Sequence, residues 1–219
     1  MAGLAGAMLN DEITPLPAAS AIVLREPFEL LMMRRHAGAS FMPNAWVFPG
    51  GIAEDLDHQL GGLQITAVRE TFEETGVWLG SAPLDDAEHK RRRLLAGSIS
   101  VRQLLAEAPI DPDALVLTSR WITPVGVPKR FDTYFYLAKA PPGTIATAEN
   151  HEAVDVTWIH PEEALAKHAA REMQMVFPTL RNLEALRGFD SVDALIESRR
   201  GITVEPVMPV LVDGKPTLR

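Results

Sequence analysis

Hydrophobic and polar positions along this chain predict a mixed sheet with helices around it. Alternating or continuous apolar runs bounded by Pro and Gly predict strands. These runs cover residues 18–25, 28–34, 45–48, 115–122, 130–138 and 153–159. Apolar residues at helical spacing predict helices over residues 63–75, 85–108, 161–168, 179–187 and 191–198. Strands that alternate with helices indicate an α/β (α+β) fold in one domain.

Turn-forming residues divide the chain into three parts. Residues 1–17 are rich in Ala, Gly and Pro and predict a loose lead-in, whereas residues 18–200 hold the predicted domain. Within it, a helical insertion is expected near residues 85–108 and a helical C-terminal part over 161–200. Residues 201–219 predict an extended tail.

Two shorter segments carry turn signals of their own. Asp213 and Gly214 form a dipeptide that is typical of a hairpin turn in the tail. Residues 55–62 are polar and end in two glycines, so we expect a loop there.

The helix predicted over residues 63–75 has two contrasting faces. One face carries a stripe suited to burial, formed by Ile65, Val68, Thr71, Phe72 and Thr75. The other face carries Glu70, Glu73 and Glu74, which share one side at about 100° per residue. Like charges so close repel by a few tenths of a kcal/mol each on an exposed helix, so we expect a cation to bind there. Carboxylate oxygens suit Mg²⁺ or Mn²⁺.

Charge and composition exclude several classes of function. The 219 residues carry a formal net charge of −8, and the only basic run, residues 90–93, is expected to be a solvated helix face. General nucleic-acid binding, which needs a clustered positive surface, is therefore not expected. The chain contains no cysteine, which excludes disulfides, thiolate metal sites and cysteine nucleophiles. Its six histidines lack close metal-ligand spacing.

The same composition bears on where the protein is expected to act. The absence of cysteine fits a reducing compartment. The N-terminus lacks the basic region of a signal peptide, and no apolar run approaches the roughly 18 residues of a membrane span. We therefore expect a cytoplasmic protein without a membrane partner.

Two segments around the acidic helix resemble the Nudix box. The sequence RETFEETGV at residues 69–77 resembles its second half, and VFPGG at residues 47–51 resembles the strand and turn that open it. Strand, FPGG turn, loop and REXXEEXG helix follow in the family's order. The resemblance implies a Nudix-type α/β/α sandwich with a mixed sheet, here with extra C-terminal helices.

The resemblance also implies a reaction. Nudix enzymes hydrolyse the pyrophosphate bond of a nucleoside diphosphate linked to another moiety, with divalent cations that offset the phosphate charge. The metal ligands carried over are Gly50 through its carbonyl, Glu70, Glu73 and Glu74, with Mg²⁺ or Mn²⁺ as the cofactor. Arg69 would orient the carboxylates.

The catalytic base is left open by the resemblance, because the family takes it from different places. One source is the loop before the last sheet strand, which holds Glu149 and Glu152 here. Glu73 is the alternative base.

The spacing departs from the family pattern in one place. Arg69 lies eighteen positions after Gly51, four more than the family spacing, and Asp57 stands where the family has a Glu that pairs with the Arg. Asp57, Asp55 and Glu54 are all candidates for that pairing.

Candidate phosphate contacts flank two of the predicted strands. These are Arg34 and Arg35 after one strand, and Lys129 and Arg130 before another.

Residues 34–51 and 120–138 resemble the branch of acyl-CoA diphosphatases and their bacterial relatives. Branch membership makes CoA or acyl-CoA the first choice of substrate, with ADP-ribose, NADH or another dinucleotide as alternatives. A module that binds nucleotides without cleaving them would normally lack box carboxylates, which are all present here. An isomerase would need a general acid/base pair that the sequence does not identify. A homodimer is common for this fold and is expected here.

Overall fold

The computed structural model describes residues 13–39, 42–149 and 151–218. Most of the lead-in predicted over residues 1–17 lies outside these ranges.

The predicted strands are present and join one mixed sheet. Its strands are β1 (Leu16–Arg25), β2 (Glu29–Arg35), β3 (Trp46–Val47), β4 (Gly50–Ile52), β5 (Val116–Ile122), β6 (Phe131–Lys139), β7 (Ala153–Ile159) and β8 (Pro206–Val207). β1 lies at the centre, parallel to β6 and antiparallel to β2 and β4. β5 pairs antiparallel with β6, and β7 with β2. The central strands are near-continuous apolar runs because both faces of the sheet are covered.

Helices cover both faces of this sheet. They are α1 (Asp55–Leu60), α2 (Leu63–Thr75), α3 (Ala87–Leu95), α4 (Val101–Glu107), α5 (Pro161–Ala169), α6 (Phe177–Ala185) and α7 (Val192–Arg199). On one face, Val23 and Leu31 of the sheet pack with Phe72 of α2. On the other, Ile22 packs in a cluster that includes Leu183 of α6. The predicted α/β/α sandwich with extra C-terminal helices is confirmed.

Residues 55–62 were expected to form a loop, and this prediction is wrong. Asp55–Leu60 is helix α1, which begins with a reciprocal capping box between Glu54 and Asp57. The Glu54 N–H donates to Asp57 Oδ2 at 3.0 Å. An acidic side chain that satisfies the first N–H groups allows a polar segment to begin a helix. Gly61 and Gly62, both at positive φ, then separate α1 from α2.

The helical pattern over residues 85–108 is divided into two helices. Gly97 at φ +66° ends the first, and Ser100 starts the second through a capping box with Gln103. Residues 77–79, which follow α2, are buried and belong to neither a helix nor a strand. No helix in the described part of the chain is long and apolar enough to cross a membrane.

The tail docks against the sheet edge. β8 pairs parallel with β5, so that Trp121 lies opposite Val207. The next residues form a hairpin of β9 (Val210–Val212) and β10 (Lys215–Thr217). Its turn lies at Asp213 and Gly214, both at positive φ, as predicted.

Candidate active site

The FPGG turn is fastened to the central strand. The carbonyl of Pro49, the second residue of this turn, accepts hydrogen bonds from Ser20 Oγ at 2.8 Å and from the Ala21 N–H at 3.0 Å. Gly50 then pairs with Ser20 in β1, where a Cβ on Gly50 would lie 2.4 Å from the Ala19 carbonyl oxygen. A side chain cannot fit at this position, so the sheet itself requires the glycine.

The same turn approaches the carboxylates of α2. The Gly50 N–H donates to Glu74 Oε2 at 2.8 Å. A Cβ on Gly51 would lie 2.3 Å from Glu70 Oε1. Both glycines therefore let the backbone of the turn contact the acidic helix, and the two halves of the motif form one site.

Glu74 is the most deeply placed of the three acids. Its side chain is buried, and Oε1 has no hydrogen-bond partner among the described residues. Burial raises the pKa of Glu74 well above its ordinary value, and the charges of Glu70 and Glu152 add to the shift. An ionised Glu74 needs a positive partner, and one of its oxygens is free to contact it.

Glu70 and Glu73 share a hydrogen-bond donor. Arg69 Nη1 donates to Glu70 Oε1 at 2.9 Å and to Glu73 Oε2 at 2.8 Å. Burial nevertheless raises the pKa of Glu70 to about 7, with Arg69 opposing the shift and Glu73 adding to it. Burial likewise raises the pKa of Glu73, again against the effect of Arg69. One guanidinium does not neutralise this cluster.

Arg69 is itself anchored by Asp57. Its Nη2 donates to Asp57 Oδ2 at 2.9 Å and to the Ile52 carbonyl at 3.0 Å. Asp57 is fully buried and also accepts from Thr66 Oγ1 at 3.0 Å. Burial lowers the pKa of Arg69, but the hydrogen bond to Asp57 and the neighbouring carboxylates outweigh burial and raise it above the ordinary value.

Of the three candidates for the Arg69 partner, Asp57 is the one the structure selects. Glu54 Oε1 lies 3.8 Å from Arg69 Nη1 on a largely exposed side chain. Asp55 is exposed at the start of α1. The shorter side chain of Asp57 reaches Arg69 because α1 carries it back toward α2.

Glu149 and Glu152 lie in the loop before β7, as predicted, and both line the cleft. They differ in their contacts. Glu149 Oε1 accepts the N–H groups of His151 at 2.7 Å and of Ala153 at 3.2 Å, and it also accepts the Glu152 N–H. Glu152 has an exposed side chain. Glu149 thus organises the loop, whereas the carboxylate of Glu152 is presented to the cleft.

The carboxylates open into a cleft of about 1760 Å³. Its other walls are formed by residues that include Phe48, Thr123, Lys129, Phe177, Leu211 and Pro216. The C-terminal hairpin, which sequence reasoning did not connect with the site, therefore forms part of one wall. A cleft of this size can hold a nucleotide with a large second moiety.

The four predicted phosphate contacts do not converge. Among the described residues, Arg35 and Lys129 line the cleft, whereas Arg34 and Arg130 do not. Arg34 lies 3.9 Å from Asp155 of β7. Arg130 is buried and donates to the carbonyls of Thr123 at 3.1 Å and of Ile13 at 2.9 Å.

These contacts correct the prediction for two of the four residues. The side chain of Arg130 fastens the start of β6 to its surroundings, and that of Arg34 faces a neighbouring strand. Only Arg35 and Lys129 stay candidates for phosphate binding.

Arg91 was missed by sequence reasoning. The run at residues 90–93 was expected to be solvated, and Arg92 and Arg93 are exposed, but Arg91 is only 2% exposed. It also lines the cleft. A signal was present: Ala87, Arg91 and Leu94 follow at spacings of four and three, so Arg91 lies on the apolar stripe of α3.

These residues fit a divalent cation. Three carboxylates with raised pKa values lie on one helix face, and one buried oxygen of Glu74 has no partner among the described residues. In the ranges that the structure describes, no three acidic or histidine side chains already converge as a coordination shell. The contacts of Arg69 account for this arrangement, because its guanidinium already binds Glu70 and Glu73. A cation would compete with the guanidinium for these two side chains but not for Glu74.

Comparisons with known proteins agree with this geometry. The profile described as the NUDT19 Nudix domain matches residues 60–186, and the NUDIX domain profile matches residues 14–95. Putative nudix hydrolase 7 of Caenorhabditis elegans is 29% identical, over 88% of this chain and 69% of that protein. Acyl-coenzyme A diphosphatase NUDT19 of Gallus gallus is 29% identical, over 77% of this chain and 63% of that protein.

Solved structures share the fold. A NUDIX hydrolase from Alicyclobacillus acidocaldarius aligns with a TM-score of 0.77 at 24% identity, over 85% of this chain and 97% of that one. A MutT NUDIX hydrolase from Burkholderia pseudomallei aligns with a TM-score of 0.52 at 15% identity, over 80% of this chain and 99% of that one. Since one family profile covers more than half of the chain and the box residues meet in one cleft, this chain belongs to the Nudix family of hydrolases.

Proposed function

We propose that this protein hydrolyses the pyrophosphate bond of CoA or acyl-CoA with Mg²⁺ or Mn²⁺. One observation carries the reaction: Glu70 and Glu74 meet the FPGG turn in a large cleft, and Glu74 keeps one buried oxygen without a partner among the described residues. The substrate class is supported by the match to the NUDT19 Nudix domain and by relatives named acyl-coenzyme A diphosphatase.

The carboxylates of α2 are assigned to the metal. Glu70 and Glu74 would hold the cation, with Glu73 as a third ligand and the Gly50 carbonyl as a further one. When bound there, a divalent cation would supply positive charge against the pyrophosphate oxygens and the attacking water. Arg69, fixed by Asp57, sets the orientation of Glu70 and Glu73 and does not contact substrate.

Glu152 is our choice for the general base. Glu149 is already the acceptor of three backbone N–H groups, and Glu73 is paired with Arg69. Glu152 is exposed and lines the same cleft, and its charge contributes to the raised pKa values of Glu70 and Glu74, after the larger effect of burial. A carboxylate that faces the cleft in which the attacking water would lie suits proton abstraction.

Cationic side chains along the cleft suit a substrate that carries a further phosphate group in addition to the pyrophosphate. Arg35, Lys129 and the exposed Arg92 all line it. CoA carries a 3′-phosphate in addition to its pyrophosphate, whereas ADP-ribose and NADH do not. A site that uses these cations for the extra phosphate will prefer CoA to dephospho-CoA.

The decisive experiment is a substrate panel with Mg²⁺ and with Mn²⁺. It contains CoA, acetyl-CoA and a long-chain acyl-CoA, dephospho-CoA, ADP-ribose, NADH and a dinucleoside polyphosphate. We expect release of 3′,5′-ADP from CoA or its esters, with kcat/KM above that for ADP-ribose. Preferential cleavage of ADP-ribose or NADH would overturn the substrate assignment. Binding without turnover of any compound would favour a nucleotide-binding module.

Two further proposals rest on resemblance and composition. A homodimer is proposed because this fold commonly forms one, and light scattering after gel filtration measures the mass directly. A cytoplasmic location is proposed from the absence of cysteine.

A further inference from the structure

Arg91 connects three parts of the active site. Its Nε donates to the Glu73 carbonyl at the end of α2 at 2.9 Å, and its Nη1 donates to Thr147 Oγ1 in the loop before β7 at 3.0 Å. Its own helix, α3, lies in the segment between the Nudix box and β5. A nearly buried guanidinium thus links three segments that are distant in sequence.

These contacts complete the C-terminal end of α2. The last carbonyls of a helix lack partners within the helix. Here the Glu73 carbonyl accepts a hydrogen bond from Arg91 Nε, and the Thr75 carbonyl accepts one from the Thr147 N–H at 2.9 Å. A cation at this end also interacts favourably with the helix dipole. Gly76 permits the approach, because a Cβ there would lie 3.3 Å from Arg91 Nη1.

The same contacts fix the loop that carries the acidic candidates for the base. Thr147 is held by its hydroxyl and by its N–H, two residues before Glu149. Glu149 then accepts the N–H groups of residues 151–153 through Oε1. The position of Glu152 therefore depends on a series of contacts that starts at Arg91.

We propose that Arg91 is a positioning residue for general-base catalysis, holding the loop before β7 at Thr147 so that Glu152 faces the carboxylates of α2. The inference rests on the proposed function. A direct contact with substrate phosphate is the less suitable role, because Arg91 is only 2% exposed and its Nε and Nη1 already donate to the Glu73 carbonyl and to Thr147 Oγ1. Its charged neighbours are Glu88, 3.8 Å away on the same helix, and also Glu149 and Glu74, whose charges act on the Arg91 guanidinium.

The first measurement needs no substrate. Hydrogen–deuterium exchange on the 219-residue chain should show faster amide exchange over residues 144–153 in Arg91→Ala than in the wild type. Arg93→Ala is the matched control, since Arg93 is an exposed arginine of the same helix and does not line the cleft. Thr147→Val tests the contact from its other side, because it removes the hydroxyl and keeps the bond from its backbone N–H.

The second measurement uses whichever panel compound the wild type cleaves. We expect kcat to fall by about 10- to 100-fold in Arg91→Ala with KM changed much less, as for a misplaced catalytic group. Because Arg91 acts through Glu152, the double variant Arg91→Ala/Glu152→Gln should lose no more activity than Glu152→Gln alone. Thr147→Val should lower kcat by a smaller factor than Arg91→Ala does, and it should leave the melting temperature unchanged.

Three results would overturn the inference. They are unchanged exchange over residues 144–153 in Arg91→Ala, unchanged kcat in both Arg91→Ala and Thr147→Val, or additive losses in the double variant. If the wild type cleaves no compound of the panel, the proposed function fails, but the exchange experiment still decides whether Arg91 holds the loop.

Discussion

Asp57 and Arg69 form a buried ion pair beneath the acidic face of α2. Asp57 Oδ2 lies 2.9 Å from Arg69 Nη2, and the two side chains are 0% and 5% exposed. The other nitrogen of the fork, Nη1, reaches Glu70 and Glu73. Asp57 therefore controls the orientation of two proposed metal ligands without contacting them.

Replacement of Asp57 by Asn should reduce both stability and activity. The substitution removes the negative charge that Asp57 places beside the buried Arg69 guanidinium. Loss of one partner of a buried ion pair lowers the free energy of unfolding by about 3 kcal/mol. Denaturant unfolding and steady-state kinetics measure the two effects. Asp55→Asn is the control, because Asp55 is exposed on the same helix. Equal behaviour of the two variants would contradict the role given to Asp57.

Glu74→Gln should separate stability from metal binding. The amide keeps an acceptor for the Gly50 N–H but removes the buried charge, so the metal-free variant should be at least as stable as the wild type at pH 8. Mg²⁺ or Mn²⁺ should raise the melting temperature of the wild type by mass action and that of the variant much less. We expect kcat to fall by about 100-fold.

The control for Glu74→Gln is Glu163→Gln, which alters a surface ion pair of α5. This variant should match the wild type in metal response and in turnover. A Glu74→Gln protein with normal metal stabilisation and near-full activity would exclude Glu74 as a ligand.

Stability of the metal-free protein should fall as pH rises through the titration of Glu70. Its pKa is about 7 in the folded state and 4.5 ordinarily, mainly because of burial. The folded state therefore holds this proton more tightly. The stability gained from it is fully present below pH 4.5 and is lost as pH rises to about 7.

The size of this loss can be measured by urea unfolding with a chelator at several pH values. A shift of this size corresponds to at most about 3 kcal/mol. Glu70→Gln should reduce the slope of the free energy of unfolding against pH. Glu73 and Glu74, whose pKa values are also raised, contribute to this slope in the same direction. Parallel curves for the variant and the wild type would show that Glu70 does not titrate in this range.

Glu149 and Glu152 should respond differently to the same substitution. Glu152→Gln removes the proposed base and should lower kcat by about 10²- to 10⁴-fold. Glu149→Gln keeps an oxygen that can accept the N–H groups of the loop, so it should retain most of the activity. Glu149→Ala removes that acceptor and should be more harmful than Glu149→Gln. The opposite ranking of the two Gln variants would assign the base to Glu149.

The local pattern of residues by itself determined the family, the fold and the position of the acidic helix. Strand positions follow from apolar runs, and the FPGG turn with REXXEEXG at residues 69–76 places Glu70 and Glu74 one turn apart on a single helix. These features depend on neighbours within a few residues, so periodicity and motif spacing suffice to predict them. Glu70, Glu73 and Glu74 lie where the motif predicts.

Only the tertiary structure decided the features that join distant segments. Asp57 reaches Arg69 because α1 forms where a loop was expected, and Arg91 is buried because α3 packs against a loop 56 residues further along the chain. The side chain of Arg130 does not line the cleft, because it donates to the backbone carbonyls of Thr123 and Ile13. Such contacts depend on how helices and loops pack around the sheet, and a charged side chain has the same appearance in sequence whether packing buries it or leaves it in water.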